Sequence, residues 1–296
     1  MLKVLTIKVL LFFSAVFSLH SQGTFIHKED SLKKLLRSIP LLENDFERLE
    51  VNYIFRNYFH QVLKDPESFH YPFDSLTVVS RLRDPQGNFR IITWYIPLDG
   101  GNFEYYGFFQ SFDPRRDDYQ VYELTDRGSA IGNIMFETLG HENWYGAYYL
   151  ELIHRRHRRN DYYVLLGWRG DNPLTRKRII EPLRLMGQGR PSFGSPVFRF
   201  ENNRHRRVIF EYSARVSMSM RYEPHIVDQS RRSQDVIIFD RMAPPHNYLR
   251  GQFQFYVPET NIFDGFRFED GKWIFVPDID ARNPNRRPPP RPVPPN

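Results

Sequence analysis

The chain has 296 residues, no cysteine, and 41 basic against 35 acidic side chains, for a net charge of +6. Without a thiol it forms no disulfide framework, no cysteine nucleophile and no lipid-modified cysteine. The positive excess belongs to the ends: Lys3 and Lys8 at the start, and Arg282, Arg286, Arg287 and Arg291 at the finish, leave the body between them near neutral. A nucleic-acid binder carries its basic excess on the folded surface, so no nucleic acid is expected as a partner.

The first segment reads as an export leader. Lys3 and Lys8 form a positive start, residues 9–19 an apolar run, and Ser18 and Ser21 supply small residues, so cleavage is expected after Ser21. The run falls short of the roughly 20 apolar residues of a membrane span, and no transmembrane anchor is expected after cleavage.

Residues 22–74 read as a helical segment. Leu32, Leu35, Leu36 and Ile39 recur at helical spacing until Pro40 interrupts them. A second helix is predicted over 43–64, with Phe46, Leu49, Tyr53, Phe59 and Leu63 as its apolar stripe and Pro66 as its stop. The stripe is expected to pack on a sheet.

Residues 75–281 read as one antiparallel β domain. Strands are predicted over 76–82 and 89–96, joined by Asp84-Pro-Gln-Gly87, and over 103–112 after Asp99-Gly-Gly-Asn102. Another follows at 119–124. Residues 127–142 carry helical spacing at Ile131, Ile134, Met135 and Leu139, weakened by glycines, and suggest a short helix over one end of the sheet. Six more extended segments lie at 147–153, 162–168, 176–185, 197–200, 208–213 and 217–222. The last strands are predicted at 235–240, 252–257, 265–269 and 273–277, with Asp270-Gly271 as a hairpin turn. The expected fold class is mainly β: an antiparallel meander, sandwich or partly open barrel with the N-terminal helices packed on it. Residues 282–296, rich in proline and arginine, have little to bury and read as a disordered polyproline II tail.

Four strings stand out in this text: Tyr162-Tyr-Val-Leu-Leu-Gly-Trp-Arg-Gly170, Arg176-Lys-Arg-Ile-Ile180, Val208-Ile-Phe-Glu-Tyr-Ser213 and Gly271-Lys-Trp-Ile-Phe-Val-Pro-Asp-Ile-Asp-Ala-Arg282. Together they resemble exported, uncharacterised β-rich proteins of Bacteroidetes-type bacteria. The resemblance implies a compartment, the periplasm. It implies no activity, cofactor or catalytic residue.

The chemistry-bearing patterns are few. His141-Glu142 lacks the second histidine of a zinc-protease helix, because position 145 is tyrosine. No nucleophile elbow, phosphate loop or dinucleotide fingerprint occurs. No metal and no cofactor is expected. Asp264, Glu269, Asp270, Asp278 and Asp280 offer part of a calcium shell but not its pattern, and read as turn and cap residues.

Arginine is the loudest signal. Arg155, Arg156, Arg158 and Arg159, then Arg176 and Arg178, then Arg204, Arg206 and Arg207 flank the central strands. In a meander the second and third groups share one end. As a patch, these residues suit an anionic envelope polymer, a lipid headgroup or an acidic protein face. As separate loops they are a salt-bridged rim, the reading that the body's neutral balance favours. Tyr105-Tyr106, Trp144-Tyr145 and Tyr148-Tyr149 are adjacent aromatic pairs, and on strands one member of each is expected outward. Trp144 and Tyr145 join the binding candidates on that ground.

The leading functional expectation is therefore a non-catalytic periplasmic binding or assembly module, its partner an envelope protein or anionic envelope polymer. The alternative is an envelope carbohydrate- or peptide-acting hydrolase with paired carboxylates drawn from Glu142, Glu151, Asp171, Glu181 and Glu211. A third is a structural subunit of an envelope complex that uses the helical stripe.

Overall fold

A computed structural model describes residues 25–113, 115–200, 205–227 and 233–279. The expected leader and proline-rich tail lie outside them, as does Arg204. The architecture is mainly β and antiparallel, with helices at its N-terminal side, and among the described residues no sheet closes into a barrel.

Helix α1 covers residues 25–38 and α2 runs Asp45–Leu63. Asn44 caps α2 by accepting from the Glu47 amide at 3.0 Å, and Asp45 and Glu47 place negative charge in its first turn. Its buried face is Asn52, Phe55, Phe59, Val62 and Leu63, whereas Phe46 and Tyr53 of the expected stripe are exposed. The reason is angular. Tyr53 and Phe59 are six residues apart, about 240° around a helix, and cannot share a face. The stripe that packs keeps to steps of three and four.

Among the described residues, fourteen strands follow in three sheets. The first sheet is a meander of β1 (Ser80–Arg83), β2 (Phe89–Pro97), β3 (Phe103–Asp113) and β4 (Asp118–Thr125). The second takes β5 (Tyr148–His157), β6 (Asn160–Arg169) and β7 (Thr175–Leu185) in order, adds β10 (Val208–Ser213) beside β7, and carries β8 (Pro191–Phe193) on the far end of β7. The third orders β11 (Met220–Val227), β12 (Ser233–Ala243), β13 (Val257–Glu269), β14 (Lys272–Val276) and β9 (Phe198–Arg199). The β14–β9 pair is parallel, and all other pairs are antiparallel.

The layers stack helices, first sheet, second sheet, third sheet. Leu32, Phe55 and Phe59 meet Ile92, Trp94 and Phe108 in one core. Phe89, Ile91 and Phe109, from the other face of the first sheet, meet Tyr149, Leu165 and Ile179 in a second. Val164, Leu166 and Ile180 then meet Ile237, Phe239 and Phe266 in a third. Two sheets are thus covered on both faces. Trp144 and Tyr145 are both buried, against the expectation of one outward ring, whereas Tyr105 and Tyr149 are buried beside half-buried Tyr106 and Tyr148.

Residues 127–142 do not form the suggested helix. Two short 3-10 turns, Gly128–Ala130 and His141–Asn143, bracket irregular chain, and Leu139 bridges to Phe193 by two backbone bonds of 2.9 and 2.8 Å. A side chain at Gly128 would meet the Tyr145 ring at 2.8 Å, so the segment lies flat across the edge of the second core. Residues 253–255 form a 3-10 turn where a strand was expected, and β13 begins at Val257. The Asp270-Gly271 turn is as expected, with φ of 50° and 75° at its two central residues.

The phase of α2 sets a clear expectation. Phe59→Ala should cost about 3–5 kcal/mol in chemical denaturation, while Phe46→Ala should stay within about 0.5 kcal/mol of wild type. Equal losses would place the stripe where the spacing first suggested it.

Candidate functional site

The second sheet has an upper end, where β5 turns into β6, and a lower end, where β6 turns into β7. At the upper end lies a cleft of about 510 Å³ that cuts across all three sheets. Asn88 comes from the first sheet's β1–β2 turn, Arg159 and Asp161 from the β5–β6 hairpin, Arg184 from the end of β7, and Lys272 from the start of β14.

Its charges are unequally used. Asp161 Oδ1 lies 2.8 Å from His154 Nε2 and accepts from Gln86 Nε2 at 3.3 Å, so the carboxylate is engaged. Lys272 Nζ donates to the Pro196 carbonyl at 2.7 Å and has no ion pair within 4 Å among the described residues. Arg159 and Arg184 are exposed and have no ion-pair partner among the described residues. Asn88 is fixed in place by buried Asp84, which accepts from its amide at 3.1 Å and its side chain at 2.7 Å. Tyr163 borders the cleft with its phenol pushed well up by burial and by neighbouring Asp84 and Asp161. The result is a polar groove with three cations facing one satisfied carboxylate.

Among the described residues the candidate arginines do not gather into one patch, in keeping with the rim reading. Arg156, Arg158 and Arg159 stay on the upper hairpin, where Arg158 takes the turn position with φ of 57°. Arg155 pairs with Asp235 of the third sheet. Arg176 is at the lower end, 5.1 Å from the Phe103 ring, and Arg178 donates to the Met218 carbonyl at 3.1 Å. Arg206 is half-buried beside the 127–142 segment, its amide bonded to the Met135 carbonyl at 2.8 Å. Arg207 is fully buried. The β10 register, Val208 opposite Ile180, carries Arg206 and Arg207 into the middle of the sheet instead of to its lower end.

Arg207 anchors a network in the second core. Its Nε donates to Glu181 Oε1 at 2.7 Å, and its Nη1 to the Glu137 carbonyl at 3.0 Å and to the Ile134 carbonyl. Tyr149 donates its hydroxyl to the other Glu181 oxygen and accepts from Trp144 Nε1 at 2.9 Å. Trp144 is therefore a structural donor, not an exposed contact. Burial first, and then the Glu181 charge, hold the Tyr149 phenol well above its ordinary value.

A second charged cluster sits at the lower end. Arg169 lies between the rings of Tyr105 and Tyr145, 4.7 Å from each centroid. It donates to Asp126 at 2.8 Å, to Asp171 and to the Gly146 carbonyl. Burial opposes its charge, but Asp126 and Asp171 outweigh burial and keep its pKa above the ordinary value. Asp171 also binds Lys177, which lies 3.8 Å from Glu211. Burial pushes the Asp171 carboxyl up, but Arg169 and Lys177 together hold it below its usual range.

Of the carboxylates considered for hydrolysis, Glu181, Asp171 and Glu211 are each committed to a cation. Glu142 is exposed. Glu151 accepts from the Tyr222 amide at 3.4 Å, and burial first, then Glu223, raise its pKa. Of the acidic run near the C-terminus, Asp264 and Asp278 bind Arg241 at 2.9 and 2.8 Å, Glu269 pairs with Arg267 at 2.8 Å, Asp270 takes the hairpin turn, and Asp280 lies outside the described residues. No group of three metal-ligating side chains occurs among the described residues.

Sequence reading found Arg159 and passed over Arg184, Lys272, Asp161 and Asn88. The only local signal was Arg184, an exposed charge directly after the buried run Ile179–Leu183. Fold and cleft together define a layered β protein with a cation-rimmed groove. No protein-family model matches the chain, and neither the curated proteins nor the solved structures yield a match.

Two outcomes test these networks. Arg207→Met should cost about 3–5 kcal/mol by stranding a buried carboxylate, and adding Glu181→Leu should recover most of that loss. Asp171, with its pKa depressed by folding, contributes stability above the usual carboxylate range and loses it as pH falls through its folded value. Asp171→Asn should therefore lower Tm near neutral pH and converge on wild type as pH falls through the depressed pKa of Asp171.

Proposed function

We propose that the mature chain is a non-catalytic binding module of the periplasm, and that its ligand is an anionic envelope polymer held in the upper cleft. The observation that carries this reading is the charge imbalance there: Arg159, Arg184 and Lys272 converge on a groove whose one carboxylate, Asp161, is already bonded to His154. Two exposed arginines without partners suit carboxylate or phosphate groups spaced along a chain, because a guanidinium fork donates two parallel hydrogen bonds. The open course of the groove across the edges of three sheets suits an extended ligand.

Support for the compartment comes from the leader-like start and the resemblance to exported proteins. The carboxylates that a hydrolase would need for acid and base work are largely bound to cations, and this favours binding over turnover.

Titration calorimetry with oligogalacturonate, against a neutral oligosaccharide of equal length, tests the proposal. The acidic oligomer should bind, weaken as salt rises, and lose about tenfold in affinity for each of Arg159→Gln and Arg184→Gln. Binding that ignores both substitutions would sink the cleft assignment. Release of shortened oligomers would replace a binder with a hydrolase.

A further inference from the structure

The lower end carries a surface of a different kind. Three loops meet there. The Ala214 amide donates to the Leu174 carbonyl at 2.8 Å, and the Ser213 amide to the Tyr256 carbonyl at 3.0 Å, tying the β6–β7 turn, the loop after β10 and the 244–256 loop together. These loops expose large apolar side chains: Leu174 at 61%, Tyr248 at 76%, Phe253 at 39% and Phe255 at 42%. Among them, Arg215 and Arg250 are exposed, and neither has an ion-pair partner among the described residues.

We propose that this end of the molecule rests on an anionic lipid bilayer surface. Charge argues for it first. Residues 241–258 contain no aspartate or glutamate. Of the neighbouring carboxylates, Asp171 pairs with Arg169 and Lys177, Glu259 lies 4.0 Å from Arg241, Glu211 accepts from Thr175 at 2.7 Å, and Asp240 accepts from the Ser219 amide at 2.6 Å. Rings and aliphatic side chains flanked by unpaired arginines are the composition of an interfacial anchor, with tyrosine at headgroup depth and arginine on lipid phosphates.

The backbone argues for it second. Peptide groups that are partly paired internally lose less when they leave water for a bilayer interface. In the 244–256 loop, two 3-10 turns supply that pairing: Leu249 bonds His246, Arg250 bonds Asn247, Gln252 bonds Leu249, Phe255 bonds Gln252 and Tyr256 bonds Phe253, all amide to carbonyl at 3.0–3.2 Å. The Gly251 amide is taken by the Tyr256 hydroxyl at 3.1 Å. Such a loop presents side chains to lipid with part of its own backbone already paired.

The two ends are then divided in function. The cleft begins near Pro182, and the apolar loops lie beyond Thr175, so at about 3.3 Å per residue β7 alone separates them by roughly 25 Å. A chain resting on the membrane by its lower end turns the groove away from it. The membrane assignment rests on different residues from the cleft and stands or falls separately.

Co-sedimentation of the full chain with phosphatidylglycerol-rich vesicles and with pure phosphatidylcholine vesicles tests it. The anionic vesicles should capture the protein in preference. The pair Arg215→Gln and Arg250→Gln should reduce partitioning about fivefold per arginine. The pair Tyr248→Ser and Phe253→Ser should reduce it by at least about tenfold. All four positions are exposed, so circular dichroism and Tm should match wild type. Partitioning that is equal in wild type and both variants, as when residues 1–21 or the basic tail carry it, overturns the proposal. So does failure to bind anionic vesicles, and so does a stoichiometric protein partner released by the same substitutions when vesicles do not bind.

Discussion

Along β6, Tyr163 and Leu165 point into one core while Val164 and Leu166 point into another, and every other layer takes its place from that two-sided burial. A strand covered on both faces has no side to give to water. Its neighbours must therefore cover it, the first sheet on one side and the third on the other. The first sheet is left with a second apolar face, at Ile92, Trp94 and Phe108, and the helices close it. Burial of each such side chain contributes about 1.5–3 kcal/mol, and this is what holds a disulfide-free chain together.

Stacking sheets in this way makes buried polar groups unavoidable at the seams, and the molecule meets them with paired networks. Glu181 faces the second core from the middle of β7 and would be costly there alone. Arg207, Tyr149 and the 134–137 carbonyls surround it. Glu29 is treated similarly on the helical side, accepting from the Tyr71 hydroxyl at 2.6 Å and the Ser75 amide at 2.7 Å. Asn52 accepts from Trp94 Nε1 at 2.8 Å in the same core. These contacts select one registry of the layers, because a shift of one residue would leave a charge or amide unsatisfied.

The surface is organised by what these networks leave over. Charges used inside or along strands, such as Arg155, Arg169, Arg207 and Arg241, are not available to ligands. What remains is a basic groove at one end, and rings with two arginines at the other. The exposed residues Phe46 and Tyr53 on α2 form a smaller apolar face apart from both.

Much of the architecture was legible in the text of the chain. Alternating β-branched and aromatic residues marked most strands, Asp270-Gly271 marked its hairpin, and Pro40 and Pro66 bounded the helices, because these signals act through local sterics. The mainly β class with helices at the start follows from them. The number of sheets, the double-sided burial of β2 and β6, and the true face of α2 did not, since they depend on what lies across a core. The site shows the same division. The text displayed arginines in clusters but not their partners, and register then spent Arg207 on Glu181 while leaving Arg159 and Arg184 unpaired. Local chemistry determined the elements; only long-range packing decided which charges were buried, which were neutralised and which still face solvent.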